Sequence, residues 1–120
     1  IIHMIKISKI FWSIPDTKFS DNILSKVLGI KKLEDKSPKF QIYILPNKTE
    51  IIAIKETKTK IYDSSLHFYL PSFKINQIKS KFDKLGYSCH LAKSGKTITL
   101  SCFAPSPHSW CEIHFSNYSH

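Results

Sequence analysis

Imidazole and carboxylate side chains in the second half of this 120-residue chain fall at spacings that aim them in common directions. In residues 66–70, LHFYL, His67 and Tyr69 alternate with Leu66, Phe68 and Leu70. That period of two predicts a strand with the imidazole and phenol on one face and the apolar groups on the other. In residues 110–115, WCEIHF, Glu112 and His114 are two apart and share a face by the same rule. Groups of these types can exchange protons with a substrate, hydrogen-bond a small ligand or ligate a metal ion. Cys111 falls on the face opposite Glu112, which argues against a catalytic thiolate. His90, His108 and His120 occupy surface strand or loop positions and receive no role.

A strand, a corner and a helix must position His67. Pro71 closes the strand, and then Ile75, Ile78, Phe82 and Leu85 recur at intervals of three and four with lysines between them, predicting an amphipathic helix that stops at Gly86. The helix must cover the face opposite His67. Earlier in the chain, residues 5–14 predict a strand with Lys9, Phe11 and Ser13 on one face and Ile10, Trp12 and Ile14 on the other. Pro15-Asp16 ends that strand, and residues 19–28 predict a short helix with Asp21 in its first turn and a stop at Gly29. A polar loop over 31–39 leads to a hairpin, with strands at 40–45 and 50–55 about the turn Pro46-Asn47-Lys48. Residues 55–65 read as a polar link. After the second helix come strands at 87–91, 96–103 and 110–115, with a turn at 93–95 and a loop at Pro105-Ser106-Pro107.

The chain therefore repeats itself: a strand, a helix with a Leu-Gly stop and a set of strands occur twice, the stops at Gly29 and Gly86. This predicts an α+β fold of two βαβββ modules, about 4–57 and 66–116, within one domain spanning 4–120. Curved mixed sheets with helices on their outer faces would enclose a cleft. By parity the cleft face holds Lys9, Phe11, Ser13, Glu50, Ile52 and Ile54 in the first module, and His67, Tyr69, Thr97, Thr99, Ser101, Phe103, Trp110, Glu112 and His114 in the second. The aromatics Phe11, Tyr69, Phe103 and Trp110 either fill the core or present a stacking surface to a planar or apolar ligand.

Composition narrows the class further. Hydrophobic residues are 42% of the chain and aromatics 12%, enough for a core, and no apolar run reaches the roughly 18 residues of a membrane-spanning helix. A soluble cytoplasmic protein with no membrane partner is expected. The start, Ile1-Ile2-His3-Met4, lacks the layout of a signal peptide, and His3-Met4 reads as a cloning junction ahead of a native Met4, so residues 1–3 are set aside. Cys89, Cys102 and Cys111 show no CxxC spacing and read as part-buried thiols in a reducing compartment, not as a disulfide framework or zinc knuckle. The net charge is +9 with every cation a lysine. Without arginine for bidentate phosphate contacts, and with the lysines spread out, a solvated surface is expected in place of a nucleic-acid interface.

The second half, HFYLPSFKINQIKSKFDKLGY followed by GKTITLSCFAP and WCEIHF, resembles the second module of the vicinal oxygen chelate superfamily, which includes glyoxalases, bleomycin-resistance proteins and extradiol dioxygenases. The first half, with the Asp16 to Gly29 separation and the LPNKTEIIAI hairpin, is similar to the family's first module. The resemblance implies a metal site of four inward positions, of which His67 and Glu112 match the third and fourth, with Glu112 the candidate catalytic base. The first position falls on Lys9 and the second on Ile52, or on Glu50 after a two-residue slip. The family's F-x-DP-x-G turn reads Phe103-Ala104-Pro105-Ser106-Pro107-His108. The resemblance thus implies a small-molecule-binding protein with a degraded metal site, in which the Lys9 ammonium stands in for a metal charge. The alternative is a metal-dependent lyase, isomerase or dioxygenase using His67 and Glu112 with Glu50 or His114 and a Zn, Ni, Mn or Fe ion. A homodimer is implied as well.

Overall fold

Alternating burial organises both halves of the computed structural model, which describes residues 5, 7–33, 37–56 and 63–118. The chain divides into two compact units after residue 56. The readings made for residues 1–3, for His120 and for parts of the two polar connections lie outside the described residues.

The first unit runs β1 (Lys9–Ile14), α1 (Thr17–Ser20), a π-helical continuation (Asp21–Val27), β2 (Lys31–Lys32), β3 (Phe40–Ile44) and β4 (Glu50–Lys55). Its sheet has the order β1-β4-β3-β2, with β1 parallel to β4 and the other pairs antiparallel. One face is buried through Trp12, Ile14, Tyr43, Ile51 and Ala53, and the helical segment supplies buried Phe19, Ile23, Leu24 and Val27. Trp12 and Phe19 meet with ring centroids 5.9 Å apart. The helix starts earlier than its apolar spacing indicates, because Asp16 caps it: Asp16 Oδ1 accepts from the Phe19 N–H at 2.9 Å. Strand β1 is shorter than the alternation over 5–14 predicts. The polar loop expected over 31–39 contains the two-residue strand β2, whose exposed lysines carry no apolar signal.

A polar contact secures the same core. The buried Tyr43 hydroxyl donates to Asp21 Oδ1 and lies 2.8 Å from Ser20 Oγ, while Asp21 Oδ2 pairs with Lys32 at 3.1 Å. Burial, reinforced by the bond to Asp21, pushes the phenol's pKa up, so it remains a neutral donor.

The second unit runs β5 (Ser64–Tyr69), α2 (Ser72–Lys84), β6 (Ser88–Ser94), β7 (Thr97–Phe103) and β8 (Cys111–Ser116). Its sheet order is β5-β8-β7-β6, again with the first and last strands of the unit parallel and the other pairs antiparallel. Helix α2 buries Ile75, Ile78 and Phe82 on the face formed by Leu66, Leu100, Cys102, Ile113 and Phe115. Phe82 and Phe115 have ring centroids 5.8 Å apart. Gly86 follows the helix at φ 81°, the left-handed stop its position predicts. The β6–β7 turn centres on Gly95-Lys96, one residue beyond the expected 93–95. Asn117 ties several segments together: its Nδ2 donates to Ser72 Oγ at 2.9 Å and to the Lys96 carbonyl at 2.7 Å, and its Oδ1 accepts from the Ile98 N–H at 2.9 Å.

Two four-stranded mixed sheets, each with helical structure on one side, make this an α+β chain of two βαβββ modules. Among the described residues no helix is long and apolar enough to cross a membrane. Replacing Phe82 with alanine is expected to lower stability by about 3–5 kcal/mol, and Asp16→Ala by about 1 kcal/mol. Urea unfolding of the two variants beside the parent checks the ranking, and a smaller loss for Phe82→Ala than for Asp16→Ala would contradict this account of the core.

Candidate functional site

Because α2 covers the odd positions of β8, its even positions, Glu112, His114 and Ser116, point to the opposite face. The same holds along β5 for Ser65, His67 and Tyr69, with Leu66 buried on the helix side. Strands β5 and β8 are parallel neighbours in which Ser65 lies opposite Glu112 and His67 opposite His114. Register alone therefore brings two imidazoles side by side, and their rings stack at 4.6 Å with planes 14° apart. Phe103 approaches the His114 ring edge-on at 6.4 Å.

His114 is held at both ring nitrogens. Its Nε2 is 2.9 Å from Glu112 Oε1, and its Nδ1 is 2.7 Å from Ser101 Oγ. An ionised carboxylate only accepts, so Nε2 donates to it in either protonation state, and Nδ1 accepts from the Ser101 hydroxyl when the ring is neutral and donates to it when the ring is charged. Ser65 Oγ also donates to Glu112 Oε1 at 2.7 Å. The result is one chain, Ser101–His114–Glu112–Ser65, across three strands. It fixes the His114 ring plane.

Electrostatics follow from this geometry. Burial by itself would raise the Glu112 pKa, but the hydrogen bonds from His114 and Ser65, together with the positive charge available on both imidazoles, outweigh it and leave the carboxyl below its ordinary value. Glu112 thus has its compensating donors within its own module. For His67, loss of water on the side stacked against His114 and repulsion by a His114 charge lower the pKa from the ordinary 6.5, opposed by the attraction of Glu112. His67 is otherwise exposed.

A hollow of about 390 Å³ opens over this face, lined by His67, Phe68, Tyr69, Thr99, His114, Ser116 and Tyr118. Tyr69 is 61% exposed. Phe103 and Trp110 are not among the lining groups. Trp110 precedes β8 in a turn and is 6% exposed, its ring set edge-on against His108 at 6.0 Å, so the phase of β8 does not govern it. Ser65, Ser116 and Tyr118 join the site without a sequence signal that singles them out, because hydroxyls are common on any solvated strand face.

In the first unit Lys9 lies opposite Glu50 in the β1–β4 register, and Phe11 lies opposite Ile52. Phe11 is 66% exposed. The register thus makes Glu50, not Ile52, the neighbour of Lys9.

Among the described residues no group of three or more His, Cys, Asp or Glu side chains is arranged to hold a metal ion, and His114 has both nitrogens engaged.

The pKa shifts predict a common direction with pH. Glu112 contributes stability above its ordinary value of 4.5 that is lost as pH falls through its lowered folded value. His67 binds its proton less readily in the folded chain than in the unfolded one, so stability also declines as pH drops below 6.5. In an NMR titration the His67 pKa should rise in His114→Gln and fall in Glu112→Gln. Shifts of the same sign in both would contradict these assignments.

No protein-family model matches the sequence, and no curated protein matches it. Solved structures do. A lactoylglutathione lyase from Agrobacterium tumefaciens superimposes with a TM-score of 0.70 at 9% identity, over 92% of this chain and 92% of that one. A glyoxalase/dioxygenase from Nostoc punctiforme gives a TM-score of 0.70 at 16% identity, over 92% of this chain and 89% of its own. The fosfomycin resistance protein FosX from Listeria monocytogenes gives 0.72 at 11% identity, over 98% and 94%. Similarity at such low identity is similarity of fold, and this chain shares the fold of these glyoxalase-like structures.

Proposed function

We propose that the protein binds a small, planar, oxygen-bearing organic molecule in the hollow of the second module and does so without a resident metal. The observation that carries this reading is the His67–His114 stack in the lining of an open hollow of about 390 Å³, a size within the range of small-molecule sites. The exposed His67 ring and the Tyr69 phenol supply flat surfaces for stacking, and the Thr99 and Ser116 hydroxyls supply hydrogen bonds that fix orientation. The lowered pKa of His67 keeps it mostly neutral near pH 7, which favours a ligand held by stacking and hydrogen bonds over one held by charge. The solved structures of this fold include a lyase, a glyoxalase/dioxygenase and a fosfomycin resistance protein, which supports a small-molecule role. Glu112 acts here through His114, as a positioning residue.

A fragment screen by protein-observed NMR tests the reading. Aromatic and enolic carbonyl fragments are expected to shift the resonances of His67, Tyr69 and Thr99, with affinity reduced at least tenfold in His67→Ala and Tyr69→Ala. Protein purified without chelator should carry far less than one Zn, Ni, Mn or Fe ion per chain. A stoichiometric ion that is lost in both His67→Ala and Glu112→Ala would overturn the metal-free reading in favour of a metal-dependent lyase, isomerase or dioxygenase.

A further inference from the structure

The β6–β7 hairpin places two of the cysteines face to face. Its turn has two central residues, Gly95 at φ 61° and Lys96, and Ser94 lies opposite Thr97. In a two-residue hairpin the pair that closes the turn exchanges both backbone hydrogen bonds, and bonded and non-bonded pairs alternate outward from it. Counting along the register, Ala92↔Thr99 and His90↔Ser101 are bonded pairs, whereas Lys93↔Ile98, Leu91↔Leu100 and Cys89↔Cys102 are non-bonded. Non-bonded pairs bring their Cα atoms to about 4.5 Å, inside the roughly 4.4–6.8 Å spanned by disulfides.

The side chains agree with the backbone. The two thiols act on each other's ionisation, and that interaction holds the Cys89 pKa below its ordinary value and pushes that of Cys102 up. Cys102 is buried and Cys89 half-buried on the outermost strand of the sheet, so a reagent from solvent meets Cys89 first. On α2, Lys79 and Asp83 form an ion pair at 2.8 Å and act on the thiols with opposite signs, Lys79 favouring the Cys89 thiolate and Asp83 opposing it. Cys111 lies on β8, opposite Ser64 in the register, and has no place in this pair.

We propose that Cys89 and Cys102 form a reversible dithiol–disulfide site oxidised by low-molecular-weight disulfides of the glutathione type. Cys89 gives its proton to solvent, and its thiolate attacks one sulfur of the small disulfide. That S–S bond breaks, one small thiolate leaves and takes up a proton, and a mixed disulfide remains on Cys89. Cys102 then loses its proton to solvent and attacks the Cys89 sulfur, expelling the second small thiolate, which is protonated in turn. Two protein thiols are oxidised and one small disulfide is reduced to two thiols. The bridge fastens the outermost strand β6 to β7, which carries Thr99 and Ser101 on its other face. Oxidation therefore stiffens the sheet that supports the Ser101–His114 bond.

The test is incubation of the folded protein in mixtures of oxidised and reduced glutathione, followed by acid quench and thiol counting in denaturant. The count is expected to fall from three per chain to one, with an intact mass lower by two hydrogens and a peptide map joining 89 to 102. Adding excess dithiothreitol should restore all three. Cys102→Ser should stop at a stable glutathione adduct on Cys89, and Cys89→Ser should show neither bridge nor adduct at residue 102. A parent protein that keeps three thiols in excess oxidised glutathione, or that accumulates only the Cys89 adduct, overturns the proposal. The parent result decides the matter even if Cys102→Ser fails to fold.

Discussion

Each sheet of this protein is dry on one face only, and most of what the chain presents to solvent follows from that constraint. A helix carrying Ile75, Ile78 and Phe82 can bury its stripe only against a strand face that is apolar at every second position, which Leu100, Cys102, Ile113 and Phe115 provide. Because strand side chains alternate, burying those positions sends Thr99, Ser101, Glu112 and His114 to the other side without any further instruction. The first unit obeys the same logic with Trp12, Ile14, Tyr43 and Ile51 on the helix side and Phe11, Glu50 and Ile52 away from it. A slip of one residue in β8 would place a carboxylate and an imidazole under α2, a cost large enough to pin the register.

Once the register is pinned, the chemistry of the open face depends on which residues lie opposite one another. In both units the first strand runs parallel to the last, so the modules share a frame. The frame holds Lys9 beside Glu50 in one and His67 beside His114 in the other. The fold thus survives a complete change of open-face chemistry, since those side chains contribute little to the buried layer. In the second unit the outcome is a closed set of hydrogen bonds. Glu112 is satisfied by Ser65 and His114, and His114 by Glu112 and Ser101. Hydrogen bonds from His114 and Ser65 favour the ionised form of this half-buried carboxylate.

Strong local signals were read correctly from the chain. The alternation in LHFYL, the three-and-four spacing of Ile75, Ile78 and Phe82 and the glycine at 86 specify strand, helix and stop because each rests on a period or a backbone preference carried by adjacent residues. Weak local signals were not. The start of the first helix depends on a capping bond from Asp16 and not on apolar spacing, and β2 consists of two lysines whose only strand property is pairing with Tyr43 and Ile44. Trp110 fits the parity of Glu112 on paper, but the strand begins one residue later and the indole turns into the core.

The amino-acid sequence by itself determined two βαβββ modules and the common face of His67, Tyr69, Glu112 and His114, since period-two alternation is a property of the backbone and needs no partner. The tertiary structure alone decided that His67 stacks on His114, that Ser65 and Ser101 complete the bonds of Glu112 and His114, and that Cys89 meets Cys102 across a non-bonded pair. These contacts join residues on different strands. Their existence depends on strand order and register, which long-range burial sets and no local stretch of sequence encodes.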